Sequence, residues 1–344
     1  MRAVLFPGDR QVRIVDMPTP KPGPGEVLVR TRASAICRSD MDLYIGKSAV
    51  VGGEKARVGA IVPGHEPAGV VAAIGPGVTK VGVGDRVAGY LALGCGSCEY
   101  CSAGYLMLCP DWQCIGFDVD GGDAEYLLLP ERNCLPLPDE ISFVAGAVMT
   151  DMIGSQYSTQ KAMGIRGGMS LAVFGLGPMG GAAVLVGKAL GAQVIAVDVL
   201  PERLNLAREL GADEVVNSAE TDPVAVIREL TGGRGADAAV DCSGAPAAQN
   251  AALDSTAKRG VVAFVGESAS TTVNPSDQWI RKLLRVIGGW YFNLAEWREI
   301  CDLVISAKIP VEHLVTHTFD IEDAETAFAM FDQRKTEKAV FVWN

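Results

Sequence analysis

Four cysteines within fifteen residues constrain this chain more than any other feature. Cys95, Cys98, Cys101 and Cys109 follow the spacing C-x2-C-x2-C-x7-C. Four thiolates this close can wrap one tetrahedral Zn²⁺ and leave no position open for a substrate, so the segment reads as a small lobe with a structural metal. Disulfides and an iron–sulfur cluster draw on the same residue type. No further cysteine knot follows Cys109 to support a redox cluster. The first eight residues are too short in apolar length for a secretory leader. The expectation is therefore a reducing, cytoplasmic setting, in which clustered cysteines bind metal rather than pair.

A chain of 344 residues leaves room for about two domains, each able to bury its own core. Residues 1–150 read as β-rich, with short Val/Ile/Leu runs at 26–30, 68–74 and 85–88 between Gly and Pro turns. The texture changes near Leu171. Strand-like runs at 171–174, 194–198, 214–216, 238–241, 261–265 and 286–289 alternate with helix-length segments such as 202–210 and 223–230. That alternation implies a parallel, doubly wound sheet. Beyond residue 290 helices are expected at 294–306 and 321–333, the second from Ala324, Ala327, Phe328 and Phe331 at helical spacing, and a strand at 338–343 closes the chain. The expected fold class is thus α/β. A β-rich domain spans 1–150 and 290–344, and a Rossmann unit is inserted at 151–289.

The net charge of −11, with no Lys/Arg run, argues against a nucleic-acid surface. No stretch reaches about 18 consecutive apolar residues, so no membrane span is expected.

The run Gly175-Leu176-Gly177-Pro178-Met179-Gly180 is a GxGxxG pattern. Alone it is weak, but here it follows an expected strand and opens an expected helix. Gly175 permits the tight turn, Gly177 lets a pyrophosphate approach the backbone, and Gly180 permits close helix–strand packing. Pro178 suits a first helical turn, whose N–H is free in any case. Asp198 closes the next strand, where a carboxylate would bind ribose hydroxyls and repel a 2′-phosphate, favouring NAD over NADP. Capping the following helix is a compatible role for it. Arg203 pulls the other way, since an arginine there can accept a 2′-phosphate.

The chain holds three histidines. His65 lies in Pro63-Gly64-His65-Glu66-Pro67, and Cys37 in Ile36-Cys37-Arg38-Ser39-Asp40. A lone histidine is most often structural, and a lone cysteine most often a small buried hydrophobe. Their order and spacing, ahead of the cysteine lobe and the glycine loop, resemble the zinc-containing medium-chain dehydrogenase/reductase family over nearly the whole chain.

The resemblance implies a GroES-like catalytic domain, an NAD(P)-binding Rossmann domain, two zinc ions per chain and hydride transfer between NAD and a secondary alcohol or polyol, or its ketone. It makes Cys37 and His65 ligands of a catalytic zinc and places Asp151 where the third ligand should stand, with Glu66 able to approach the metal. A helix N-cap is the plainer role for Asp151. Asp40 would accept a hydrogen bond from the His65 ring, Ser39 would meet the substrate hydroxyl as first proton acceptor, and Arg38 would contact the cofactor pyrophosphate. Asp241-Cys242-Ser243-Gly244 and Val265-Gly266-Glu267 resemble segments flanking the adenine and nicotinamide, which makes Ser243 and Val265 cofactor contacts. One position departs from the family pattern: Asp42 stands where many members carry a histidine, with Tyr44 close behind. Three routes for the proton are open: to Asp42, through the cofactor ribose and water, or no relay. Trp112 and Trp290 are expected pocket residues. A homo-oligomer, tetramer or dimer, is implied. The competing readings are a zinc-independent enone or quinone reductase, whose members lack the Cys/His pair and the cysteine lobe, and a non-catalytic nucleotide-binding scaffold.

Overall fold

A computed structural model describes residues 1–47 and 59–343. The chain divides into two compact units. The first comprises Met1–Asp151, Asn293–Cys301 and Leu314–Asn344, and the second Met152–Phe292 and Asp302–His313. The expectation that everything after residue 290 rejoins the first unit is therefore amended, because residues 302–313 cluster with the second. The helix Trp297–Ser306 carries the chain from one unit into the other, a change that falls inside a continuous amphipathic helix and leaves no mark in the sequence.

The second unit is built on a parallel six-stranded sheet. Its strands are, in chain order, Ser170–Phe174, Gln193–Asp198, Glu214–Asn217, Ala236–Asp241, Thr256–Phe264 and Arg285–Gly288. Across the sheet they run third, second, first, fourth, fifth, sixth. Every residue of Ser170–Phe174 is buried, as expected of a strand covered on both faces. Ala172, Phe174, Ile195, Val197, Ala239 and Val262 share a core with Ile227 and Leu253 from the flanking helices. The strand order reverses between the first and fourth strands, and ligands of such sheets bind beyond the strand ends at that point. The expected strands and the helix Pro223–Leu230 form, with ends moved by a few residues; the largest change extends the fifth strand back to Thr256.

The first unit holds a seven-stranded sheet. Its central strand, Glu26–Ile36, pairs antiparallel with Glu66–Ile74, Lys338–Val342 and Tyr126–Pro130. Register decides what meets at one end. Glu66 lies opposite Ala35, and Ala339 lies opposite Ile36. Cys37 leaves the central strand as His65 enters the second and Lys338 the third, so three distant segments converge by strand pairing alone. The helix Phe143–Val148, capped by Ser142 Oγ accepting from the Ala145 N–H at 3.0 Å, packs on two of these strands. It continues through a wide π turn, Met149–Ile153, into the helix Gly154–Met163.

Candidate metal centre and nucleotide loop

The strand ends bring Cys37, His65 and Glu66 together, and the π turn adds Asp151. One donor atom from each of the four lies within 4.8 Å of the others. Cys37 Sγ is 3.6 Å from Asp151 Oδ2. His65 Nε2 is 3.9 Å from the same oxygen and 3.8 Å from Glu66 Oε1. Bond lengths of about 2.0–2.3 Å to a tetrahedral zinc ion put neighbouring donors roughly 3.3–3.5 Å apart, so the 3.6–3.9 Å separations here are a few tenths of an ångström wider than such an ion would set. Asp151 sits in the middle of a continuous helical run and caps no helix. A π turn inserts one residue into the helix and is frequent at functional sites; here it carries the aspartate, and Thr150 Oγ1 steadies it by donating to the Ala147 carbonyl at 2.8 Å.

Asp40 organises the two strand-end ligands. Its Oδ1 lies 3.0 Å from His65 Nδ1, and its Oδ2 accepts from the Cys37 N–H at 2.8 Å. With Nδ1 as the donor, Nε2 presents its lone pair to the cluster. Burial opposes the charged imidazole, but the Asp40 charge and hydrogen bond outweigh it and hold the His65 pKa well above its ordinary value. Burial would raise the Cys37 thiol; Lys338 and His65 more than offset this and lower it, favouring the thiolate that binds metal.

Lys338 is the residue that sequence reasoning missed. It is 1 % exposed, and its Nζ donates to Glu66 Oε1, which is itself fully buried. Burial opposes charge on this lysine, yet Glu66, Cys37 and Asp151 raise its pKa. Burial also pushes the Glu66 carboxyl well up, with Lys338 pulling it partly back. Glu66 Oε2 has no hydrogen-bond partner among the described residues. The only sequence signal was a lysine opening an otherwise apolar strand, Lys338-Ala-Val-Phe-Val342, and such a residue normally snorkels to water.

Ser39 Oγ stands 3.4 Å from His65 Nε2. Asp42 donates its backbone N–H to the Ser39 carbonyl at 3.3 Å, but no side-chain hydrogen bond joins the two residues among those described. Tyr44 packs into an aromatic cluster with Phe6 and Phe328, at centroid distances of 5.6 and 6.0 Å, and so serves the core. Arg38 is exposed. Trp112 is half-buried beside the cysteine lobe, and Trp290 stacks on Tyr291 at 4.9 Å.

The lobe brings its four sulfurs within 4.8 Å of one another. Backbone N–H groups converge on them: Cys98 on Cys95 Sγ at 3.3 Å, Cys101 on Cys98 Sγ at 3.4 Å and Cys95 on Cys109 Sγ at 3.3 Å. Hydrogen bonds from Ser97 and Cys98 lower the Cys95 thiol to about 6.

In the second unit, Gly177 caps the helix Pro178–Ala189, whose first turn holds Pro178, Met179 and Gly180. Free amides at such an end, with the helix dipole, favour an anion. Gly175 adopts φ +81°, and a side chain there would meet Ser243 Cβ at 2.5 Å; one on Gly180 would strike the Gly175 carbonyl. Asp198 Oδ2 accepts from the Leu176 N–H at 2.6 Å, and Oδ1 from Val199 and Leu200 at 2.7 and 3.0 Å. Leu200 is the residue that precedes the next helix, so Asp198 ties that turn to the glycine loop and is not the cap. Arg203 Nη1 is 4.0 Å from Asp198 Oδ2. Asp241 accepts from Ser243 Oγ at 2.6 Å, and its carbonyl accepts from the Val265 N–H at 2.9 Å; of the two, Ser243 lies against Gly175 of the loop.

Residues 23–139 match the model of the alcohol dehydrogenase GroES-like domain, and residues 178–306 that of the zinc-binding dehydrogenase. The uncharacterized zinc-type alcohol dehydrogenase-like protein YphC of Escherichia coli is 35 % identical, with 99 % of this chain and 98 % of that protein covered. L-threonine 3-dehydrogenase of Pyrococcus furiosus is 34 % identical over 96 % of this chain and 94 % of its own. The solved alcohol dehydrogenase TADH from Thermus sp. ATN1 superposes with a TM-score of 0.91 at 30 % identity, covering 99 % of each chain.

Proposed function

From the premise that this chain belongs to the zinc-type medium-chain dehydrogenase/reductase family and is an NAD-linked oxidoreductase acting on alcohols, we propose that its catalytic centre is a zinc site formed by Cys37, His65 and Asp151. The observation that carries the reading is the convergence of a thiol, an imidazole and two carboxylates within 4.8 Å in the interior of one unit. Cys37, Glu66 and Asp151 can bring three negative charges, Asp40 a fourth behind His65, and Lys338 returns one positive; a dication offsets two of the three that remain. On this reading Glu66 stays with Lys338, Cys37, His65 and Asp151 are the three protein ligands, and a fourth position is open, the pattern of catalytic rather than structural zinc. Zinc supplies Lewis-acid polarisation of the substrate oxygen, and NAD supplies the hydride acceptor.

The remaining roles belong to the chain. Asp40 fixes the His65 ring. Ser39 Oγ accepts the hydrogen bond of the substrate hydroxyl, and the proton passes on to Asp42 or through the cofactor ribose and water. The Gly175–Gly180 loop and the helix behind it bind the pyrophosphate, with Arg38, Ser243 and Val265 as further contacts. Asp198 binds the ribose and repels a 2′-phosphate, which supports NAD over NADP. A second, structural zinc is held by the four-cysteine lobe. The substrate class is a secondary alcohol or polyol: the 3-position of threonine, the substrate in the name of one relative, is a secondary alcohol. A homo-oligomeric state, tetramer or dimer, rests on the family resemblance, and a cytoplasmic setting on the sequence reading above.

Cys37→Ser and His65→Ala should lower the zinc content from two per chain to one and keep the NADH fluorescence enhancement. Turnover of a secondary-alcohol panel should fall by roughly 10³-fold, the equivalent of several kcal/mol of lost charge stabilisation. Full turnover in either variant overturns the metal assignment. Asp40→Ala, which leaves the ligands intact but frees the His65 ring, should weaken the catalytic metal by about 10–100-fold in a chelator competition; unchanged affinity would remove Asp40 from the site.

A further inference from the structure

Three consecutive N–H groups, those of Gly121, Gly122 and Asp123, donate to the carbonyls of Val62, Gly64 and Pro63 at 2.8, 2.7 and 3.0 Å. These are the three residues before His65. A fourth bond runs the other way, from the Val62 N–H to Asp120 Oδ1 at 3.0 Å. The strap is also packed on both sides of the ligand pair. A side chain on Gly121 would strike the Gly64 carbonyl and approach Pro63 O at 2.7 Å, while one on Gly122 would meet Pro67 Cβ at 2.5 Å. Gly64 lies at φ +92° directly against Asp123, so it cannot yield toward the strap. The strap is anchored in turn to the central strand, where Ser34 Oγ donates to the fully buried Asp123 Oδ1 at 2.6 Å.

We propose that the segment Gly121-Gly122-Asp123 is a positioning element for the catalytic metal: it holds the backbone of the three residues before His65, abuts the Pro67 ring after Glu66, and so sets the direction from which the His65 side chain enters the cluster. The inference rests on the zinc reading above. His65 lies between Gly64 and the first residue of the strand Glu66–Ile74; strand pairing holds the chain after it, and the strap holds the three residues before it. Asp40 orients the ring, and the strap sets where the ring begins. Two adjacent glycines are needed because the strap lies against backbone on one side and a proline ring on the other.

The test is metal retention in the full chain. Gly121→Ala and Gly122→Ala should each weaken one of two bound zinc ions by about 10–100-fold in chelator competition, the range expected when the support of a ligand is lost. In cobalt-substituted protein, the absorption bands of the weakened site should shift. Leu127→Ala, a buried core change in the same unit, is the reference for general destabilisation and should keep both ions at the same chelator concentration. If a glycine variant does not fold, Ser34→Ala removes only the hydroxyl that anchors the strap and should still speed loss of the same ion several-fold. Strap variants that bind both ions as tightly as the Leu127→Ala reference would overturn the proposal. Failure of the zinc reading looks different: the unaltered protein would hold a single ion, or Cys37→Ser would leave the count at two.

Discussion

Replacing Lys338 by methionine is expected to destabilise the first unit by about 3–5 kcal/mol, the usual result of removing one partner from a buried ion pair. The lysine and Glu66 are 1 % and 0 % exposed, and Glu66 Oε2 already lacks a partner among the described residues. Without the ammonium, a carboxylate would remain inside apolar sheet packing beside Cys37 and Asp151. Differential scanning calorimetry should show the transition of this unit lowered by roughly 6–20 °C, at about 2–4 °C per kcal/mol for a domain of this size. The double variant Lys338→Met/Glu66→Leu should recover most of the loss, because replacing both partners with apolar groups removes the desolvation problem. An unchanged transition in the single variant would show that water reaches the pair and solvates the orphaned acid.

Cys98→Ser should release the lobe around residues 94–112 while the rest of the first unit stays folded. The helix Glu99–Ser102 buries no residue, and Tyr100, Tyr105 and Leu108 are all exposed. Apart from Leu106 and Met107, the segment has little core of its own. With the structural zinc proposed above, its order would come largely from the metal, whose binding contributes about 10–16 kcal/mol in small zinc peptides at neutral pH. Limited proteolysis should cut the variant within the lobe at least tenfold faster than the parent, and a strong chelator should reproduce the effect on the parent. Equal cleavage rates would mean that packing, not metal, holds the lobe.

What could be read in the sequence was local. The glycine loop, the alternation of strands and helices after Leu171 and the spacing of Cys95, Cys98, Cys101 and Cys109 are each written within short windows, and they reappear as the parallel sheet, the Pro178–Ala189 helix and the four-sulfur lobe. Cys37, His65 and Asp151 were legible only through family resemblance, since nothing in their own neighbourhoods says that they meet. Lys338 was not legible. Its partner lies 272 residues away, and only the pairing of Lys338–Val342 with Glu26–Ile36 puts it beside the cluster. The π turn under Asp151 was hidden for another reason: an extra residue in a helix changes the direction of a side chain without changing the apolar pattern around it. The Gly121-Gly122 strap carries no local signal, because its role depends on what lies against it.

The closing strand also sets a timetable for synthesis. Glu66 leaves the ribosome 272 residues before Lys338, which at about 5–20 residues per second is roughly 15–55 s. During that interval the first unit has Cys37 and His65, and later Asp151, but neither the strand Lys338–Val342 nor the cation that pairs with its buried acid. The nascent sheet edge along Glu26–Ile36 is open to other chains. The second unit has most of its sequence in one stretch, Met152–Phe292, which is complete before residue 338 is made. Expression of this protein should therefore be limited by protection of that waiting edge, and a chain released before residue 338 should be cleared by proteolysis rather than accumulate as a half-built enzyme.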